Sequence, residues 1–201
     1  MPNVQDQKTI LRKKVLAKRD ALDPALRIEA SIKAAEHAAG LSVFEPENLE
    51  VGTVVSAFLP IRSEIDLRPL MTILADRRAR LCLPVVQDRT TIIFRELVRG
   101  AELVDTGFGT VGPSPEAPVL DPSVLFMPLS AFDARGGRMG YGAGHYDRAI
   151  ERLRNKAISP RLIGAAFAVQ QVDEVPLEEH DQLLEGIITE RGFIAAEGHQ
   201  S

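Results

Sequence analysis

The 201-residue chain contains one cysteine, no cluster of histidine with cysteine, and no long apolar run. Cys82 therefore has no partner for an internal disulfide, which fits a reducing cytosol, and a structural zinc site is not expected. No stretch approaches the ~18 apolar residues of a membrane helix. The first 18 residues are polar and basic and lack the apolar core of a secretory signal. These absences predict a cytoplasmic protein that does not enter a membrane.

The chain also lacks an excess of positive charge, because 24 basic and 28 acidic residues give a net charge of −4. Without a global positive field, non-specific nucleic-acid binding is not expected, and a polyanion must bind at a local basic cluster. The composition, 45% hydrophobic and 26% charged, is typical of a soluble globular protein. We expect one domain over residues 1–201 and a monomer.

Hydrophobic periodicity predicts strands that alternate with helices. This pattern favours an α/β fold with a largely parallel sheet covered by helices on both faces, and with ligands at the carboxyl ends of the strands. Residues 100–121, rich in glycine and proline, predict a long loop. The predicted helices are 5–22, 24–39, 66–78 and 149–154, and the predicted strands are 51–58, 80–86, 91–97, 124–127, 162–168, 186–189 and 193–195.

The first predicted helix is amphipathic and basic. Its apolar stripe is formed by Leu11, Val15 and Leu22. Lys8 and Arg12 are four residues apart, so both cations lie on one helix face and can converge on one polyanion. The alternative is ordinary solvated charge. The basic residues around the stripe are Lys8, Arg12, Lys13, Lys14, Lys18 and Arg19.

Residues 136–148 carry the strongest local signal, with five glycines within residues 136–144 just before a predicted helix. Glycine lets backbone amides approach an anion, and a helix N-terminus adds unpaired donors, so polyphosphate is the expected guest. Arg138 and Arg148 suit phosphate oxygens, and Asp147 suits magnesium. The segment matches neither the Walker nor the Rossmann pattern. The alternatives are a flexible loop without a ligand and, for Asp147, a role at the helix N-terminus.

Residues 127–148, MPLSAFDARGGRMGYGAGHYDR, resemble the signature of the 5-formyltetrahydrofolate cyclo-ligases, also called methenyltetrahydrofolate synthetases. Further similar segments follow the same order along nearly the whole chain, at residues 8–12, 59–66, 81–86 and 170–190. The resemblance implies a fold of the NagB/RpiA/CoA-transferase type, with Rossmann-like layering. It also implies cyclisation of 5-formyltetrahydrofolate, with or without a polyglutamate tail, to 5,10-methenyltetrahydrofolate. ATP would phosphorylate the formyl oxygen and N10 would attack, giving ADP and phosphate.

The resemblance also implies roles for individual residues. Leu59, Glu64 and Tyr141 are expected to bind the folate, and Asp147 and Asp181 are expected to hold Mg²⁺. Arg138 and Tyr146 are the expected catalytic residues. The residues expected to bind ATP are Lys8, Arg12, Arg138, Met139, Gly140, Tyr141, Gly142, Ala143, Gly144, His145 and Tyr146.

Structural alternatives remain for several of these residues. Glu64 could cap the helix that starts near Asp66, Asp181 could be a surface residue, His180 is expected to be a surface or packing residue, and both tyrosines could serve packing. Two positions depart from the family pattern: Gly112 replaces a glutamate, and His145 replaces an aromatic residue. A non-catalytic folate or nucleotide binder, and an ATP-independent sugar-phosphate isomerase or CoA-transferase-like enzyme, are the rival functions.

Overall fold

The computed structural model describes residues 3–107, 110–178 and 181–197. The first two helices begin beside capping side chains: Asn3 accepts a hydrogen bond from a first-turn amide, and Asp23, just before Pro24, accepts one from the Ala25 amide. Such caps satisfy amides that have no partner within the helix. Both starts lie close to the predicted ones. The helices are α1 (Val4–Asp20), α2 (Pro24–Ala39), α3 (Arg68–Asp76) and α4 (His145–Asn155).

The strands are β1 (Val54–Ser56), β2 (Arg80–Val86), β3 (Ile92–Leu97), β4 (Leu103–Gly107), β5 (Thr110–Pro113), β6 (Val119–Leu120), β7 (Val124–Pro128), β8 (Ala131–Phe132), β9 (Arg138–Met139), β10 (Arg161–Ala165), β11 (Gly186–Thr189) and β12 (Gly192–Ala195). Within the described residues the main sheet has eight strands, in the order β12-β11-β10-β7-β1-β2-β3-β6. The central strands β11, β10, β7, β1 and β2 pair in parallel. Antiparallel pairing attaches β12 at one end and β3 and β6 at the other.

Helices cover both faces of this sheet. Successive side chains of a strand point to opposite faces. Phe126 therefore packs with apolar residues of α2 and α3 on one face, while its neighbour Leu125 packs with Ile150 of α4 on the other. Burying each side chain of this size stabilises the fold by about 1.5–3 kcal/mol. The predicted fold class, α/β with a largely parallel sheet and helices on both faces, is confirmed.

Residues 100–121 are not the irregular loop predicted from their glycine and proline content. β4 and β5 pair as an antiparallel hairpin, and β6 pairs with β3. The Thr106 hydroxyl hydrogen-bonds to Thr110 across the hairpin. The prediction was wrong because Leu103 is exposed and Val104 only half-buried, so no apolar alternation marks the strand. Packing of β5 against β2 and β3, together with the pairing of β6 with β3, stabilises this segment instead.

Two further corrections concern the ends of β1 and the faces of α1. The strand predicted at 51–58 is shorter because Gly52 adopts a positive φ of 87°, which makes a turn before Val54. In α1, Lys8 and Arg19 are buried beside Val15, although both were predicted to lie outside the apolar stripe. Across the described residues, no helix combines the length and apolarity that a membrane span requires.

Candidate active site

A cleft of about 940 Å³ opens at the carboxyl ends of β1, β2 and β7. Its walls come from α1, from the segment after β1, and from residues 136–144, the glycine-rich segment that leads into α4. Ligands collect at this edge of a parallel sheet. The cleft brings together all the site residues predicted from sequence: Lys8, Arg12, Leu59, Glu64, Arg138, Met139, Gly140, Tyr141, Gly142, Ala143, Gly144, His145, Tyr146, Asp147 and Asp181.

The first residues of the glycine-rich segment form the turn and the second strand, β9, of a hairpin whose first strand is β8. Fully buried Asp133 stabilises its turn, since its carboxylate accepts hydrogen bonds from the backbone amides of Arg135, Gly137 and Val175. A Cβ on Gly137 would lie 2.8 Å from the Asp133 carboxylate, so glycine is needed for this close approach. The hairpin aims Arg138 at the cleft, whereas Met139 packs into a small core cluster with Val15.

The second half of the segment opens the N-terminus of α4 toward the cleft. Gly142 and Gly144 have φ of 95° and 63°, values that disfavour other residues. Among the described residues, no side chain caps α4 at Gly144. The first amides of α4 therefore combine free donors with the positive end of the helix dipole.

Two of the predicted phosphate-binding cations form ion pairs with the two predicted metal ligands. Arg138 donates to Asp147 (Nη2 to Oδ1, 2.6 Å) and to the Gln182 carbonyl (3.1 Å). Lys8 donates to Asp181 (Nζ to Oδ2, 2.6 Å) and to Glu178 (2.9 Å). Although desolvation opposes it, the two carboxylates raise the pKa of Lys8 and keep it charged.

Arg12 and Arg148 reach backbone carbonyls of the segments that surround the cleft. Arg12 Nε donates to the Gly140 carbonyl (2.9 Å), which joins α1 to the glycine-rich segment. Arg148 Nε donates to the Thr90 carbonyl (2.7 Å), and His145 Nε2 lies 3.0 Å from the Arg89 carbonyl. These contacts connect α4 to the turn between β2 and β3.

Glu64 also lines the cleft and is 8% exposed. Its Oε2 accepts from the Ile61 amide (2.8 Å), and its Oε1 accepts from the Tyr141 hydroxyl (2.5 Å). Burial raises the pKa of Glu64, and these hydrogen bonds and Arg19 oppose the rise. At the start of α3 it is Asp66 that accepts from the Arg68 amide.

Tyr146 lies in the wall of the cleft with a buried hydroxyl that has no hydrogen-bond partner among the described residues. Burial raises its pKa, so the phenol stays protonated at neutral pH. A buried hydroxyl without a partner is costly in a folded protein, and such exceptions are frequent at functional sites.

Gly112, where the family often has glutamate, packs beneath the cleft. A Cβ there would lie 3.3 Å from the side chains of both Val85 and Thr106. The neighbouring Thr110 and Val111 contribute to the lining in its place. His180 lies outside the described residues. Among the residues described, no three His, Cys, Asp or Glu side chains form a group suited to a metal ion.

Sequence reasoning missed Arg19, Glu178 and Gln182 as neighbours of the cleft residues. Arg19 has a recognisable signal, because it follows Val15 by four residues and Lys8 by eleven, which places all three on one face of α1. The roles of Glu178 and Gln182 depend on contacts between distant segments and carry no local signal.

The family model of the 5-formyltetrahydrofolate cyclo-ligase family matches residues 4–190. The chain belongs to this family. This confirms the membership and enzyme class that residues 127–148 predicted, and identifies a ligase of folate one-carbon metabolism that acts on a small folate substrate. The rival assignment to an isomerase or CoA-transferase-like enzyme is wrong.

Individual relatives agree with the family match. The 5-formyltetrahydrofolate cyclo-ligase of Mycolicibacterium smegmatis is 31% identical, over 72% of this chain and 77% of the relative. That of Escherichia coli strain K12 is 29% identical, over 86% of this chain and 94% of the relative. The NMR structure of Aquifex aeolicus 5,10-methenyltetrahydrofolate synthetase superposes with a TM-score of 0.79 at 28% identity, covering 96% of this chain and 95% of that one.

Proposed function

We propose that this cyclo-ligase converts 5-formyltetrahydrofolate to 5,10-methenyltetrahydrofolate in an ATP- and Mg²⁺-dependent reaction that releases ADP and phosphate. The observation that carries the proposal is one cleft lined by two chemically different sets of groups. The first set is the basic side chains near the N-terminus of α4, which no described side chain caps, and the second is the buried carboxylate Glu64. The first suits a polyphosphate and the second suits the donor edge of a pterin.

The phosphate end is built from cations of two separate elements. Lys8 and Arg12 project from α1, and Arg138 projects from β9 toward α4. Guanidinium and ammonium groups form strong charge-assisted hydrogen bonds to phosphate oxygens. The amides at Gly142 and Gly144 add donors that need no side chain. When bound, ATP supplies a phosphoryl group that turns the formyl oxygen into a leaving group, so that N10 can close the ring.

The carboxylates Asp147 and Asp181 fit a magnesium ion because both line the cleft beside the phosphate-binding cations. Two carboxylates with substrate phosphate oxygens form a donor set that Mg²⁺ commonly takes. Bound Mg²⁺ would neutralise charge on the phosphates. Arg138 and Lys8, now paired with these carboxylates, would then donate to phosphate instead.

At the folate end, Glu64 would accept donors from the pterin while Leu59 and the Tyr141 ring cover its faces. Each Glu64 oxygen accepts one hydrogen bond within the protein and retains a further lone pair. Bidentate recognition of a planar donor edge is therefore available without disturbing the existing bonds.

Arg138 and Tyr146 are the residues we assign to the chemical step. Arg138 stabilises charge that develops on the transferring phosphoryl group, as positioned cations do in phosphoryl transfer. The protonated Tyr146 hydroxyl, buried in the cleft wall, carries a donor that no described residue accepts. That donor is suited to hold the formyl group in line for N10 attack.

The decisive experiment is a spectrophotometric assay for the methenyl chromophore, run with ATP and Mg²⁺, without each, and with a non-hydrolysable ATP analogue. Product formation only in the complete mixture, with one ADP for each product, supports the proposal. Product formation without ATP, or ligand binding without any turnover, contradicts it; the latter outcome identifies a binding protein.

A further inference from the structure

Arg19 is a buried arginine outside the cleft lining, and its side chain connects three segments. It is 1% exposed. Its Nε donates to the Ser63 hydroxyl (2.9 Å) and its Nη1 to the Tyr141 hydroxyl (2.8 Å). Its contact with Asp20 is longer, 3.4 Å, and Asp20 also accepts from Ser63. A buried guanidinium is costly unless its donors are used, so this placement calls for an explanation.

The chemistry of arginine decides the direction of the hydrogen bonds in this network. A guanidinium has donors only, so the Tyr141 oxygen must accept from Arg19. The single proton of the Tyr141 hydroxyl is then directed to Glu64 Oε1, 2.5 Å away. Arg19 therefore fixes Tyr141 as a donor to the Glu64 carboxylate. We call the two hydrogen bonds from Arg19 to Tyr141 and from Tyr141 to Glu64 the relay. Because Tyr141 belongs to the glycine-rich segment, the relay joins that segment to Glu64 at the folate end.

Three elements place charged or titratable side chains near Glu64. Arg19 of α1 contributes a positive charge, while Tyr141 of the glycine-rich segment and Tyr146 of α4 contribute neutral phenols. Asp20 interacts with Ser63, Arg19 and Arg62. Burial alone raises the pKa of Glu64, and Arg19 with Tyr141 opposes that rise.

We propose that Arg19 is a positioning residue for the folate end of the cleft: through Tyr141 it keeps the Glu64 carboxylate anionic and correctly oriented for the pterin. The inference rests on the proposed placement of the folate at Glu64. Because a protonated Glu64 loses an acceptor for the pterin, folate affinity should fall as the pH drops, and Arg19 determines where this fall begins.

The test measures the dissociation constant of 5-formyltetrahydrofolate from about pH 5 to pH 8. Proteins compared are the wild type, Arg19→Met, Arg19→Lys, Tyr141→Phe and Glu64→Gln. Lys18→Met is the matched control, since it removes one positive charge from an exposed position of the same helix. If Arg19→Met fails to fold, Tyr141→Phe still tests the relay, because it removes the hydroxyl that joins Arg19 to Glu64. The fold should tolerate this change, since the ring is retained and the Tyr141 side chain is partly exposed.

In Arg19→Met and Tyr141→Phe, we expect the fall in affinity to move up by about one pH unit, a tenfold loss at acidic pH. Arg19→Lys should move it less, and Lys18→Met should match the wild type. Suppose that the loss of folate affinity at low pH disappears in Glu64→Gln but begins at the wild-type pH in Arg19→Met and Tyr141→Phe. The relay is then wrong and the folate placement stands. If Glu64→Gln keeps the wild-type pH dependence, the placement itself is wrong and the relay fails with it.

Discussion

Arg138 Nη2 lies 2.6 Å from Asp147 Oδ1 at the start of α4, and only 8% of the Arg138 side chain is exposed. Lys8 and Asp181 form a matching pair at the same distance. Under the proposed function, both pairs must open so that the cations bind phosphate and the carboxylates bind Mg²⁺. Nucleotide and metal should therefore bind together.

Arg138→Ala should weaken ATP binding far more than folate binding. It removes charge-assisted hydrogen bonds worth about 1.5–3 kcal/mol each, which corresponds to roughly a tenfold loss or more, and it leaves Asp147 facing the phosphates. Separate titrations with each ligand measure the effect. Arg161→Ala is the control, because Arg161 also pairs with a carboxylate, Glu185, but does not line the cleft. An equal loss for both ligands would contradict the phosphate assignment.

Asp147→Asn and Asp181→Asn should each raise the Mg²⁺ concentration that gives the half-maximal rate, because a neutral amide is a weaker ligand for a hard cation. The measurement is a Mg²⁺ titration at saturating ATP. Asp121→Asn serves as the control, since Asp121 pairs with Lys156 outside the cleft. Titration curves that superpose on the wild type for both cleft variants would exclude the metal role.

Tyr146→Phe should lower the turnover number at least about tenfold without destabilising the fold. The hydroxyl has no partner among the described residues, so its removal relieves an unsatisfied buried group. Thermal unfolding and turnover are measured on the same samples. Unchanged turnover with raised stability would show that the hydroxyl takes no part in the reaction.

The contribution of Glu64 to stability should decrease as the pH rises. Its pKa is raised in the folded state, so the folded protein holds the proton more tightly than the unfolded chain. Stability from this group is complete below the unfolded pKa and is lost as the pH rises through the folded one. The free energy of unfolding of Glu64→Gln, relative to wild type, should therefore increase with pH.

Urea unfolding of both proteins between about pH 4 and pH 7 measures this difference. Glu116→Gln should change in the opposite sense, and weakly, because the Ser114 hydroxyl lowers the pKa of exposed Glu116. A difference for Glu64→Gln that is independent of pH, or that falls as the pH rises, would contradict the assigned burial effect.

Asp133→Asn should destabilise the protein by about 2 kcal/mol or more and disorder the approach to Arg138. Among the described residues, the partners of the Asp133 carboxylate are donors, so the amide NH₂ of an asparagine would face donors inside a buried site. Thermal unfolding measures the loss. Asp105→Asn, at an exposed position of β4 with a similar amide contact to Gly107, is the control and should change stability little.

Several features could be predicted from the sequence because their signals are local. The helix start at Asp23 and Pro24 and the apolar runs of the central strands reflect interactions within a few residues. The resemblance of residues 127–148, together with the similar segments at 8–12, 59–66, 81–86 and 170–190, then identified the family and the set of cleft residues. The proposed roles of those residues, the cytoplasmic location, the monomeric state and the single domain over 1–201 stay predictions.

Other features were decided only by the tertiary structure. The hairpin strands β4 and β5 pair with each other and pack against β2 and β3, so the residues of the hairpin do not by themselves predict it. Asp147 and Asp181, each expected to face a metal, are paired with cations from β9 and α1. The burial of Arg19 depends on Ser63 and Tyr141, which are 44 and 122 residues away. Sequence determines which groups are available, whereas the partner of a buried charge depends on which distant segments pack beside it.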